Sequence, residues 1–325
     1  MIDSPATGPA IGARVRVVFF GSGDFGVPIL DALAGWDAAR IVAVVSAPDR
    51  PAGRGGAVAR VPVAARADVL GLTLLQLATL RDGAAAEAIA ALRPDLGILA
   101  DYGRIIPRSV LAIPRAGFLN VHPSLLPRHR GATPVAGAIL AGDAETGVSI
   151  MVMDDGLDTG PVLAAARWPL APDASAVDVE KRAADVGAAT LLAVVRRWMS
   201  GDLRAEPQDP ATATLTRPLG REDGRLDPRE SATALERRVR AFQPWPGTFI
   251  ETAAGRLAIL AASAWPSGAT DEAGLIVAEQ DGVALATREG RLRLDLVRPA
   301  GGRVMTGPDL RRGRPDLVGL TALDR

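Results

Sequence analysis

Short β-branched runs alternate with helix-length stretches over residues 14–200, and this alternation limits the fold more than any other feature of the chain. Arg14–Phe20 reads as a buried strand, Gly21–Gly26 as a turn and Val27–Leu33 as the opening of a helix. Ile41–Ser46, Thr73–Leu75, Leu96–Ala100, Phe118–Val121, Val148–Met153 and Val162–Trp168 read as further strands; Val61–Leu70, Asp82–Leu92 and Val177–Trp198 read as helices. Parallel neighbours need crossover connections of about a dozen residues, which such helices supply. The pattern therefore predicts an α/β unit with a mostly parallel sheet and helices on both faces. Pro207–Thr216, with its prolines and threonines, reads as a linker. Beyond it come one helix, Ala232–Ala241, and the short runs Thr248–Glu251, Arg256–Ala262, Gly274–Ala278, Gly282–Thr287 and Arg291–Val297. Strands this short with glycine turns predict a small β-barrel or sandwich. The expected division is 1–206, with residues 1–13 disordered, then a linker at 207–216 and a second domain at 217–325.

Composition narrows the chemistry. Lys plus Arg and Asp plus Glu both number 37, so no whole-molecule field draws a polyanion and any nucleic-acid contact has to be local. With no Cys and two His, a disulfide, a thiol nucleophile and a Cys-ligated metal are excluded, and no metal site is expected. Residues 1–13 lack the basic and apolar segments of a secretory signal, and no apolar run reaches the ~18 residues of a membrane span, so a cytoplasmic protein is expected.

Gly21-Ser22-Gly23-Asp24-Phe25-Gly26 follows the first strand and matches G-x-G-x-x-G, the turn that lets backbone approach a pyrophosphate. A dinucleotide site also needs an acid at the end of the second strand, and the nearest, Asp49, lies beyond Pro48 in a turn. The glycines are read as permitting a tight strand-to-helix turn, with an NAD-dependent oxidoreductase kept as an alternative. Asn120 and His122 flank Val121 at the end of a predicted strand, so period-2 geometry points both side chains the same way, at the edge where open α/β sheets bind ligands. An amide and an imidazole together can polarise a carbonyl and carry a proton. The loop holding Asp154, Asp155 and Asp158 can return a carboxylate to that edge, while His129, between Arg128 and Arg130, reads as a surface residue.

Asn120-Val121-His122-Pro123-Ser124-Leu125-Leu126-Pro127-Arg128, followed by Arg130-Gly131 and Gly156-Leu157-Asp158-Thr159-Gly160, resembles the signature of the folate-dependent formyltransferases. Pro48–Gly55, Gly142–Val148 and Arg240–Gly247 are similar to the branch that formylates an aminoacylated tRNA. The resemblance spans roughly residues 14–320 and implies a Rossmann-like catalytic domain followed by an OB-like tRNA-binding barrel. It implies 10-formyltetrahydrofolate as donor, used as a cosubstrate, and the α-amino group of methionine on initiator tRNA as acceptor. By the same resemblance, Asn120 and His122 donate to the developing oxyanion, while Asp158 orients His122 and takes the amine proton through water. Ser124, Leu125, Leu126, Pro127, Leu99, Ala100 and Tyr102 are expected to line the folate site. Arg50, Arg54 and Arg60 are expected on tRNA phosphates, joined by Arg291 and Arg293 from the arginine-rich stretch 291–314. Gly56-Ala57-Val58-Ala59 departs from the paired lysines usual at this point of the family. An amino-sugar-nucleotide formyltransferase and a non-catalytic RNA-binding protein are the remaining alternatives.

Overall fold

The computed structural model describes residues 14–52, 57–265 and 271–322. In its first half the elements are β1 (Val15–Phe20), α1 (Gly26–Ala34), β2 (Ala39–Ser46), β3 (Arg50–Ala52), β4 (Ala57–Ala59), α2 (Pro62–Val69), β5 (Leu74–Gln76), α3 (Gly83–Ala91) and β6 (Leu96–Leu99). There follow α4 (Arg108–Leu111), β7 (Phe118–His122), β8 (Arg130–Gly131), α5 (Pro134–Ala141), β9 (Glu145–Val152), β10 (Val162–Pro169), α6 (Ala176–Ser200) and β11 (Leu215–Thr216). The main sheet runs β10-β9-β7-β6-β1-β2-β5, parallel from β5 to β7 and antiparallel at β9 and β10.

The strand period explains the layers. Val17 and Phe19 on β1 join a core with Ile98, Leu119, Ile150 and residues of α1 and α6. Val18 and Phe20 point the other way into a second core with Ile89, Tyr102 and Phe118. Both sets are fully buried, as strands covered on two faces require. Phe20 meets Tyr102 and Phe118 edge-on at 5.3 and 5.2 Å. Helix ends are fixed locally: the Asp82 carboxylate accepts from the Ala85 N–H at 2.9 Å and so starts α3.

Pro207–Thr216 is not a free linker. Its chain follows the loop after β7: β11 pairs in parallel with β8, the Arg130 N–H donates to the Thr214 carbonyl, and the His129 N–H donates to Thr214 Oγ1. Proline and threonine content gave the loop reading, and tertiary hydrogen bonds overrode it. This segment belongs to a unit comprising residues up to 134, 145–169 and 180–216.

The second unit comprises residues 135–144, 170–179 and 217 onward, so the boundary is interleaved rather than a single cut near 210. It contains α7 (Ala232–Ala241), β12 (Thr248–Thr252), β13 (Gly255–Trp265), β14 (Ile276–Glu279), β15 (Gly282–Ala286), β16 (Arg291–Pro299), β17 (Met305–Thr306) and α8 (Gly307–Gly313). The strands pair antiparallel in the order β12-β13-β16-β15-β14, with β17 also on β16, around Leu235, Val239, Ile250, Ile259, Leu292 and Leu294. Ser231 Oγ caps α7, and Arg238 and Arg240 in its last turn complement the helix dipole. Among the described residues no helix is long and apolar enough to cross a membrane.

Candidate active site

β7 sits inside the sheet, and its C-terminal end carries Asn120 and His122, both about 95% buried. In the ladder Asn120 lies beside Leu99 of β6 and Met151 of β9, and His122 lies beside Ser149. The chain leaving β9 brings Asp158 back to this point in a left-handed conformation, φ +51°, which costs a non-glycine residue energy unless its surroundings hold it. Asp158 Oδ1 accepts from Asn120 Nδ2 at 3.2 Å, and Oδ2 accepts from the Gly131 N–H at 2.8 Å. The same Oδ2 is 3.7 Å from His122 Nδ1. Amide, imidazole and carboxylate therefore converge, as the motif spacing predicts.

Asp158 is hydrogen-bonded to Asn120 and Gly131, whereas His122 is held by its other nitrogen, with Nε2 3.0 Å from the His129 carbonyl. A carbonyl only accepts, so in the neutral ring Nε2 carries the hydrogen and Nδ1 keeps its lone pair towards Asp158. Burial pushes the His122 pKa below its usual value, against the opposing pull of Asp158 and the His129 carbonyl. His129 itself is buried with φ +57°, not on the surface, and its main-chain oxygen is the group that fixes the histidine tautomer. Charged neighbours on both sides made it look exposed.

The Ser124–Pro127 segment is pinned against β9. Ser149 Oγ donates to the Ser124 carbonyl at 2.7 Å and accepts from the Leu126 N–H at 3.1 Å. Gly147 is needed here, because a Cβ would lie 2.4 Å from the Ala166 carbonyl as well as 2.3 Å from Leu125 Cδ2. Only the pairing of β7 with β9 reveals Ser149. Leu99, Leu125, Leu126 and Pro127 remain half-buried and can line a ligand cleft. Of the other residues expected to line the folate site, Ala100 is fully buried, the Tyr102 ring packs edge-on against Phe20, and the Ser124 hydroxyl donates to the Arg128 carbonyl at 2.7 Å.

The glycine turn after β1 is filled by protein. The Asp101 carbonyl accepts from the N–H groups of Ser22 and Gly23, and a Cβ on Gly23 would stand 1.8 Å from Asp101 Oδ2. Burial and Asp24 push the Asp101 carboxyl up; burial, Asp101 and Asp24 do the same for Glu180. A pyrophosphate would meet carboxylates where the fingerprint offers amides. Among the described residues no group of His, Asp and Glu is placed to hold a metal ion.

The expected phosphate contacts are mostly occupied. Arg60 binds Asp49 at 2.8 Å and Asp68 at 2.6 Å, and also Gln76 at 2.9 Å, so its immediate field is net negative. Arg291 lies between Asp271 and Glu279, again one cation against two anions, and Arg293 is paired with Asp295 at 2.6 Å. Further along, Arg312 pairs with Asp309, Arg314 with Asp316, and Arg311 donates to main-chain carbonyls. Of the arginines in 291–314, Arg298 and Arg303 form no ion pair among the described residues. Arg54, and the side chain of Arg50, lie outside the described residues.

A Rossmann-like sheet with an amide, an imidazole and a carboxylate at one strand end is an arrangement able to polarise a carbonyl carbon and carry a proton. Residues 13–195 match the family described as formyl transferase and residues 218–315 its C-terminal domain, so the chain belongs to the formyl transferase family. Within it, the chain is 45% identical over 300 residues to the methionyl-tRNA formyltransferase of Roseiflexus sp. (strain RS-1), covering 92% of each protein. It is equally similar to that of Thermus thermophilus, covering 92% of this chain and 96% of the relative. Among solved structures, an N-formyltransferase from Helicobacter canadensis with folinic acid and dTDP-3-aminofucose aligns at TM-score 0.65 and 14% identity, over 86% of this chain and 99% of that one. HypX from Aquifex aeolicus in complex with tetrahydrofolic acid aligns at 0.60 and 17% identity, over 92% of this chain and 47% of that one. These two likenesses establish the fold alone.

Proposed function

We propose that the chain transfers formyl from 10-formyltetrahydrofolate to the α-amino group of methionine esterified to initiator tRNA. The observation that carries this reading is the Asn120–Asp158–Gly131 hydrogen-bonded set beside a buried, neutral His122 at the end of β7. The amine nitrogen attacks the formyl carbon, a new C–N bond forms, the bond from that carbon to folate N10 breaks, and the amine proton passes to the folate nitrogen. Asp158 takes one N–H of Asn120 and leaves the other for the formyl oxygen as its charge grows; removal of such a donor typically costs on the order of 10²–10³ in turnover. His122 Nδ1 keeps a lone pair that accepts the amine proton, and Asp158 Oδ2, 3.7 Å away, stabilises the imidazolium. His122 then returns the proton to the leaving nitrogen.

The half-buried apolar edges of Leu99, Leu125, Leu126 and Pro127 suit a flat heteroaromatic donor bound beside Asn120. For the acceptor, Arg298 and Arg303 are the better phosphate contacts, because no carboxylate among the described residues is paired with them. The test is incubation with 10-formyltetrahydrofolate and methionyl initiator tRNA, followed by mass measurement of the released amino acid. A gain of one formyl group is expected; methionine of unchanged mass overturns the reading.

A further inference from the structure

Asp158 is caught from both sides, and only one side is explained by the chemistry above. Its carboxylate is held by Asn120 and Gly131, while its main-chain carbonyl accepts from Gln208 Nε2 at 2.9 Å. The same Nε2 donates to the Gly160 carbonyl at 2.6 Å. Gln208 Oε1 accepts from Arg130 Nε at 3.0 Å and from Nη2 at 2.8 Å. The amide can take only one orientation, since a guanidinium only donates and main-chain carbonyls only accept. Arg130 is 8% exposed, and Gln208 itself is part-buried.

We propose that Gln208 is a positioning residue for Asp158: locked by Arg130, it clamps the carbonyls of residues 158 and 160 and keeps Asp158 in the left-handed conformation that aims its carboxylate at Asn120. The inference rests on the formyl-transfer reading for its kinetic consequence, but not for its geometry. Residue 158 at φ +51° lies in the left-handed region, which is costlier for a residue with a Cβ than for glycine, and its carboxylate reaches both Asn120 and Gly131 from there. Gly131 completes the arrangement. A Cβ there would stand 2.3 Å from the Thr216 carbonyl, so glycine lets the 207–216 strap close over the site while its own N–H binds Asp158. A segment with the composition of a linker thus delivers a side chain to the catalytic loop.

Gln208→Glu is the discriminating variant. It keeps the shape and the bond to Arg130, and places a carboxylate oxygen against two carbonyl oxygens. Gln208→Ala removes both sets of bonds. For each, kcat is expected to fall on the order of 10–100-fold with KM for both substrates within about twofold, as for a carboxylate displaced by about an ångström. In an Asp158→Ala background, Gln208→Ala is expected to change kcat by less than about twofold, because a residue acting only through Asp158 has nothing left to position. Wild-type kcat in both single variants, or a full additional loss in the Asp158→Ala background, overturns the proposal. If Gln208→Ala does not fold, Gln208→Met fills the same space and is read in the same way. A crystal structure of Gln208→Glu reads the geometry without an activity assay: Asp158 should leave positive φ and lose the Gly131 N–H, and an unmoved Asp158 overturns the proposal. A wild-type chain that yields no formylmethionine would instead defeat the reaction assignment and leave this structural test standing.

Discussion

Two turns leave the same edge of the main sheet, one after β1 and one after β7, and only the second gathers an amide, an imidazole and a carboxylate. The β1 turn carries the more familiar motif, yet neighbouring residues occupy its amides: Asp101 supplies a carbonyl to Ser22 and Gly23 and lays its carboxylate over Gly23. The β7 turn has no comparable glycine signature, but the loops around it gather an amide, a carboxylate and an imidazole whose Nδ1 faces that carboxylate. What separates them is what the next loop places on top. A motif specifies that backbone can approach something; the tertiary fold decides whether that something is ligand or protein.

Substitutions can break this contrast most forcefully at the β7 turn. Asp158→Ala and Asn120→Ala are each expected to reduce kcat on the order of 10²–10³, about 2.7–4 kcal/mol, with little change in thermal unfolding. Single-turnover rates measure this, and near-wild-type rates would remove the site from consideration.

The complementary test addresses the β1 turn. A Cβ on Gly21 would stand 2.7 Å from Phe19 Cε1 and 2.8 Å from the Ala100 carbonyl. Gly21→Ala should therefore cost about 1–3 kcal/mol of stability by overpacking. Denaturant unfolding reads this cost; an unchanged midpoint would mean that the turn is not packed as described.

Protonation of His122 gives a smaller, signed effect. Its folded pKa lies below the usual value near 6.5, so the unfolded chain binds more protons between the two values. Stability contributed by this residue is complete above about pH 6.5 and is lost as pH falls towards the folded pKa, by at most about 1.4 kcal/mol per unit. The slope should be absent in His122→Gln when unfolding free energies are compared from pH 7 to pH 5.

The smallest effect separates the arginines. Arg298→Ala is expected to lower the salt slope of tRNA binding by about one, whereas Arg291→Ala, whose charge is already matched by Asp271 and Glu279, should leave it unchanged. Equal slopes in filter-binding titrations would return Arg291 to the interface.

Element type was widely legible because it follows from periodicity: β1 and α7 fall where the apolar pattern puts them, within a residue, and α6 within two at each end. Asn120 and His122 were legible from strand alternation, whereas Asp158 is singled out from Asp154 and Asp155 only by the family resemblance, because three carboxylates share its loop. Ser149, Gln208 and the His129 carbonyl were not, since each acts through a partner far along the chain or through its main chain, which side-chain chemistry does not advertise. The pairing of the 207–216 strap is not legible for the same reason, since it comes from β8 and the loop before it.

The sequence alone determined where the chain can be strand or helix, which chemistry is excluded by the lack of Cys, and which polar side chains gather at the end of β7. The tertiary structure decided the rest: which histidine nitrogen meets a main-chain carbonyl and which faces Asp158, which arginines are already neutralised, and that the glycine turn is filled by protein. The physical reason is range. Backbone propensity and side-chain alternation act over a few residues, whereas hydrogen-bond partners, ion pairs and steric closure are set by segments that meet only when folded.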